Sequence, residues 1–255
     1  MSVDPRAPGL EIAGLFASLS EELLAEHDEK TLLDAVCTRA AEFVPNVEAC
    51  GITLRGPRKR LETVCATGPA AQACDDLQRE LGEGPCLEAA HDIQHLYLSR
   101  DVGKDPRWPA WGPRAASHGV RGLISVKLSS ATITSDHAPL GALNMYSTGT
   151  FADSDAETAR IYALHAGNAL AQARLVTGLR TAVDSRHAIG LAQGVLIQRY
   201  GLDPSTAFEV LQRYSTTTNT KLRLVADQVL ADGGLPEQEH SEPPLQPPAP
   251  RGDRR

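Results

Sequence analysis

The side chains best suited to chemistry in this chain are cations, amides and phenols gathered between residues 179 and 230. Arg186 and Gln193 lie seven residues apart and share a face if the segment is helical. Lys221 and Arg223 open a later helical run beside Thr218 and Asn219, with Arg199, Tyr200 and Tyr214 in between. Cations and free backbone N–H groups at a helix start grip phosphates, and tyrosine rings stack on unpaired bases. The chemistry on offer is recognition of a nucleic-acid chain, with no bond made or broken. The competing assignment packs both tyrosines into a small bundle and leaves the arginines to solvent; for the tyrosines the residues leave this open.

Two other groupings deserve a chemical reading. Cys86, His91 and His95 include two histidines four residues apart, a spacing that suits a metal ion on a helix. Against it, Leu96 to Leu98 reads as strand, a fourth ligand is missing, and no metal is assigned. Trp108 and Trp111 stand in a chain that is only 4% aromatic. With Arg107, Arg121 and Asn144 they can wall an apolar ligand pocket, or they can plug the core of their domain, which is the simpler assignment. There is no phosphate-cradling glycine loop, nucleophile elbow or zinc-protease helix, and no ligand pattern for haem or an iron–sulfur centre. The chain is not expected to be an enzyme, and no cofactor is assigned beyond an unidentified small molecule.

Several elements must position these residues. Apolar spacing predicts one or two leading helices over Gly9 to Phe43 with a break near His27 to Lys30. Strands follow at Val47 to Leu54 and Leu61 to Ala66 around the basic tip Gly56 to Arg60, then a helix over Ala70 to Leu81. Later strands are expected at Leu96 to Leu98, Gly122 to Leu128 and Leu140 to Tyr146. This order fits an α+β fold, an antiparallel sheet with helices segregated to one side. From Asp153 a seven-residue register runs through Ile161, Leu164, Asn168, Ala171, Leu175, Gly178, Ala182, Ser185, Ile189, Ala192 and Leu196. Unbroken to Arg199, this helix would be about 70 Å long. Its stripe suits a parallel dimer seam with Asn168 fixing the register, or packing against its own sheet. Gly201 ends that helix. Asp203-Pro204 starts a second with Ala207, Phe208 and Leu211 inward, and a third presents Leu222, Val225, Ala226 and Val229 after a cap at Asn219 or Thr220.

The last three helices resemble the ANTAR domain, an RNA-binding output module of bacterial signalling proteins. The resemblance rests on Ser185-Arg186, Ile189, Ala192-x-Gly194 and Leu196 in the first helix, and on Ala207-Phe208, Leu211 and Ser215 in the second. Asn219, Lys221-Leu222-Arg223 and Val225-Ala226 carry it in the third. The family's usual lysine in the first helix is replaced by Gln193, which donates a hydrogen bond but brings no charge. Upstream, Gly82-Glu83-Gly84-Pro85-Cys86, Asp105-x-Arg107-Trp108-Pro109, His118-Gly119-Val120-Arg121 and Gly141 to Tyr146 resemble the GAF domains found ahead of ANTAR modules. The two resemblances imply a GAF-like sensor over 10–175, an all-α ANTAR domain over 176–232 and a proline-rich tail over 233–255 expected to be disordered. They imply a signal-responsive regulator that binds stem-loop RNA and controls transcription antitermination, acting as a homodimer. The competing functions for the same helices are a DNA-binding helix-turn-helix and a protein-interaction surface.

Charge and cysteine use set bounds on these readings. The net charge of −7 sits almost wholly before Gly178; residues 178–232 carry six Lys and Arg against five Asp and Glu. RNA affinity must therefore come from local clustering of cations rather than from bulk charge. Five cysteines without metal or redox spacing, no secretory leader and no apolar run of membrane length predict a soluble cytoplasmic protein.

Overall fold

The computed structural model describes residues 7–56, 60–90, 95–130 and 140–235. Most of the basic hairpin tip, His91 and nearly all of the proline-rich tail lie outside the described residues. The chain divides into two compact units, one up to Gly178 and one from Leu179.

In the first unit, helices α1 (Ala7–Ala25) and α2 (Glu29–Phe43) precede strands β1 (Ala49–Arg55) and β2 (Leu61–Ala66). Helices α3 (Pro69–Leu81) and α4 (Pro85–Ala90), strand β3 (Leu96–Ser99) and helix α5 (Trp111–Ser117) follow, then β4 (Gly122–Leu128) and β5 (Gly141–Ser147). The predicted break between the leading helices is real. Asp28 caps α2, its carboxylate accepting the Thr31 backbone N–H at 2.8 Å.

The strands form one antiparallel sheet in the order β2-β1-β5-β4-β3. Side chains alternate between its faces. Cys50, Ile52, Leu54, Ile124, Val126, Leu143 and Met145 pack with α1, α2 and α6 (Asp153–Tyr200) in one core. Tyr97, Leu123, Ala142 and Tyr146 pack with residues of α3, α4 and α5 and with both tryptophans in the other. Helices therefore cover both faces, which corrects the expectation of a one-sided layer. The reason is visible in β5, where all seven positions are buried, the small or polar ones included.

Helix α6 is a single 48-residue element that closes the first unit and opens the second. In the second unit it is followed by α7 (Pro204–Thr217) and α8 (Leu222–Asp232). Ala188, Ala192 and Leu196 meet Ala207, Leu211, Val225, Ala226 and Val229 in one small core. Phe208 departs from its expected inward position and stays exposed. The seven-residue stripe divides accordingly. Ala192 and Leu196 are consumed by their own core, whereas Ile161, Leu164 and Leu175 remain exposed in the first half of the helix. Among the described residues no helix is long and apolar enough to cross a membrane.

Candidate nucleic-acid interface and buried polar site

The second unit is held by its ends. Asp203 caps α7, its carboxylate accepting the backbone N–H of Ser205 at 3.0 Å and of Thr206 at 3.1 Å. Hydrogen bonds from the Ser205 hydroxyl and from Thr206 hold this carboxyl well below its usual range. At the far end, the Thr218 hydroxyl donates to the Tyr214 carbonyl at 2.8 Å, and Asn219 takes a left-handed φ of 51°. Asparagine tolerates that region better than most residues, so the α7–α8 turn is built on it. Neither Asn219 nor Thr220 caps α8, contrary to expectation. The Ser215 hydroxyl donates instead to the Thr220 carbonyl at 2.6 Å, and Lys221 occupies the cap position with no side-chain hydrogen bond to the helix. The first turn of α8 thus keeps N–H groups without a side-chain cap, beside exposed Lys221 and half-buried Arg223. Arg223 is only loosely tied, its Nε lying 3.6 Å from Asp227.

The other expected RNA contacts are occupied to different degrees. The Gln193 amide donates to the Pro204 carbonyl at 3.0 Å and ties α6 to the start of α7. Arg199 donates to the Gly233 carbonyl at 2.6 Å, closing the end of α8, and lies 5.8 Å from the centre of the Tyr200 ring. Tyr200 itself is exposed, while Tyr214 is half-buried against the bundle core. Arg186 is exposed on α6 and Arg213 on α7. Gln193 and Arg199 therefore spend their best donors on the fold.

Inside the first unit, the ligand-pocket candidates do not line one open cavity. Trp108 and Trp111 are fully buried, edge to face with ring centres 5.9 Å apart. Trp108 donates to Glu88 and Trp111 to the Cys74 carbonyl, each at 3.0 Å. They plug the core between the sheet and α3 to α5. Arg107 lies over the Trp108 ring at 4.4 Å and donates to Asp105 and to the Leu98 carbonyl. The Arg107 side chain holds the Asp105 carboxyl down to about 2. Arg121 is exposed, its Nε 3.8 Å from Asp101. Of the metal candidates, Cys86 and His95 are described and His91 is not. Among the described residues no three His, Cys, Asp or Glu are arranged for a metal ion, and His95 engages Lys127 through its backbone carbonyl.

Asn144 belongs instead to a buried network that the sequence reading missed. Asp75 on α3 is fully enclosed. Its Oδ1 accepts from Asn144 Nδ2 at 3.0 Å, from Gln78 Nε2 at 3.5 Å and from the Tyr146 hydroxyl. Ser125 donates to Asn144 at 2.7 Å, and the Cys86 backbone N–H donates to Gln78 at 2.7 Å. Asp75 Oδ2, by contrast, is buried without a hydrogen-bond partner and faces Gly51, where an added Cβ would stand 2.4 Å away. Burial pushes this carboxyl up to about 7 against the lowering effect of Tyr146 and Asn144. A signal was readable in the sequence: Ala71, Cys74, Asp75 and Gln78 share one face of α3, so two polar residues sit where an amphipathic helix should be apolar.

The sequence matches the GAF domain family over residues 26–171 and the ANTAR domain family over 177–230. The chain belongs to the GAF family and carries an ANTAR domain. Among solved structures, the GAF domain of a phosphoenolpyruvate-protein phosphotransferase from Coxiella burnetii is 16% identical, covers 66% of this chain and 98% of its own, with a TM-score of 0.50. The phytochrome photosensory core module of Stigmatella aurantiaca is 13% identical over 88% of this chain and 47% of its own, with a TM-score of 0.56. The free methionine-R-sulfoxide reductase of Neisseria meningitidis, solved with its substrate, is 18% identical over 69% and 96%, at 0.49. The first two likenesses show the fold alone. No curated protein matches the sequence. The GAF match encloses the Asp75 network and both tryptophans, and the ANTAR match encloses all nine candidate RNA contacts.

Proposed function

We propose that this GAF–ANTAR protein is a non-enzymatic, signal-responsive regulator that binds stem-loop RNA and so controls transcription antitermination. The observation that carries the reading is the start of α8, where N–H groups without a side-chain cap stand beside Lys221 and Arg223 inside the ANTAR match. Such a terminus offers aligned dipoles and two cations to a phosphodiester. Arg186, Arg213 and Tyr200 extend the surface, and Thr218 and Asn219 shape its rim. Gln193, Arg199 and Tyr214 act by holding the helices in place. The functional domains are 10–175 and 176–232, and the protein works as a homodimer in the cytoplasm. The exposed stretch of α6 supports the dimer. The GAF match makes residues 10–175 the sensing part of this reading.

Fluorescence anisotropy with a tandem stem-loop RNA, a linear RNA of equal length and a DNA duplex tests the reading. Hairpin preference that weakens with salt is expected. Changing Lys221 and Arg223 together to alanine should lower hairpin affinity about 10-fold to 100-fold and flatten its salt dependence, with the helical signal unchanged. Equal binding by the double variant, or a preference for the duplex, would sink the assignment.

A further inference from the structure

Three of the five cysteines meet at one place in the first unit that the RNA reading leaves unused. Cys37 is on α2, Cys50 on β1 and Cys65 on β2. The β1–β2 register pairs Ile52 with Cys65, so Cys65 points to the same sheet face as Ile52 and, two residues earlier, Cys50. Helix α2 covers that face. Cys37 shares a core with Cys50 and Ile52, and Cys65 packs at its border. Cys50 and Cys65 are the thiols that act most strongly on Cys37, and Cys65 feels the Asp34 carboxylate as well. All three are free thiols; Cys37 and Cys50 are buried, while Cys65 is half-buried on the sheet's outer strand. A small oxidant arriving from solvent meets Cys65 first.

We propose that Cys65 and Cys37 form a peroxide-oxidised pair whose disulfide ties α2 to the edge strand β2. The Cys65 sulfur attacks one peroxide oxygen and the O–O bond breaks. The thiol proton, for which Asp34 is the nearby acceptor, ends on the departing oxygen, leaving a sulfenic acid and one water. The Cys37 sulfur then attacks the sulfenic sulfur, the S–O bond breaks, and the hydroxyl leaves with the Cys37 proton as a second water. Two thiols lose two electrons and two protons in all, and the peroxide gains them. The Cys37 contact and burial raise the Cys65 thiol; the Cys50 contact and burial raise that of Cys37. Thiolate is therefore scarce at neutral pH, and the reaction speeds up about tenfold per pH unit. The same crowding disfavours a reduced pair of thiolates, which favours the disulfide once formed.

The test treats the full chain with hydrogen peroxide, alkylates it, and maps its tryptic peptides without reduction. Trypsin places Cys37 on 31–39, Cys50 on 40–55 and Cys65 with Cys74 on 61–79, where fragmentation separates the last two. The expected product joins 31–39 to 61–79 through Cys65, with the thiol titre falling from five to about three. Cys37→Ser and Cys65→Ser each abolish the crosslink, Cys50→Ala retains it, and its rate climbs from pH 7 to 9. A crosslink through Cys50 or Cys74 overturns the proposal. So does Cys65 sulfinate without a crosslink, or an unchanged thiol titre where unfolded protein is fully oxidised.

Discussion

A carboxyl group sealed inside a domain and held near neutral pH couples folding to proton binding, and Asp75 is such a group. Its ordinary value is 3.8 and its folded value about 7, so the folded chain keeps a proton that the unfolded chain has lost across that interval. The contribution is full below pH 4 and is lost as pH rises through 7. Asp75→Asn, which stays neutral, should therefore remove about 1.4 kcal/mol of stability change per pH unit between 4 and 7. Urea midpoints of the GAF-domain transition, compared between wild type and variant at several pH values, measure it; parallel curves would refute the assignment. A neutral Asp75 also explains how Oδ2 tolerates having no hydrogen-bond partner beside Gly51. The neighbouring tryptophans show how far single residues were legible. Two large aromatics in an aromatic-poor chain left pocket wall and core plug both open, and their full burial fits the plug. That Gln193 and Arg199 also tie the helices together was not legible, because their partners, Pro204 and Gly233, lie 11 and 34 residues further on.

At the scale of elements, β2 and β4 coincide with their predicted spans, because apolar alternation and flanking turn residues mark both ends. The sidedness of the sheet was not legible. Serine and asparagine at Ser125 and Asn144 look like solvent positions until Asp75 and Gln78 arrive from α3 to bond them. The α7–α8 turn was misread for a related reason: Asn219 is a common cap residue, but here its backbone, rather than its side chain, meets the need. Asn219→Gly should leave the ANTAR domain folded, whereas Asn219→Val should cost about 1–2 kcal/mol by forcing a branched residue into the left-handed region. Equilibrium unfolding distinguishes the two. Hairpin affinity of the glycine variant then reports whether the Asn219 amide touches RNA or only the turn matters, and full loss with intact folding would assign the contact to the side chain.

For the molecule as a whole, the proposed homodimer requires a surface, and exposed apolar residues of α6 are the candidate. Leu164 is 47% exposed and Leu175 46%, on a helix whose later stripe residues are already spent on the ANTAR core. Charges there touch neither core directly. Leu164→Glu combined with Leu175→Glu should convert dimer to monomer in sedimentation velocity while far-ultraviolet circular dichroism stays unchanged. A variant that sediments like wild type would place the dimer surface elsewhere.

The sheet order also has a consequence for the protein in concentrated solution. With β2 and β3 at its borders, the sheet ends in two unequal rims. β3 offers only four residues, but β2 offers six, with Val64 exposed and Glu62 the single charge along it. An outer strand of that length is a template on which a foreign strand can add, and one carboxylate is a thin guard against it. The border that β2 forms is thus where fibrillar growth of this protein would begin, and where a lysine in place of Val64 would best interrupt it.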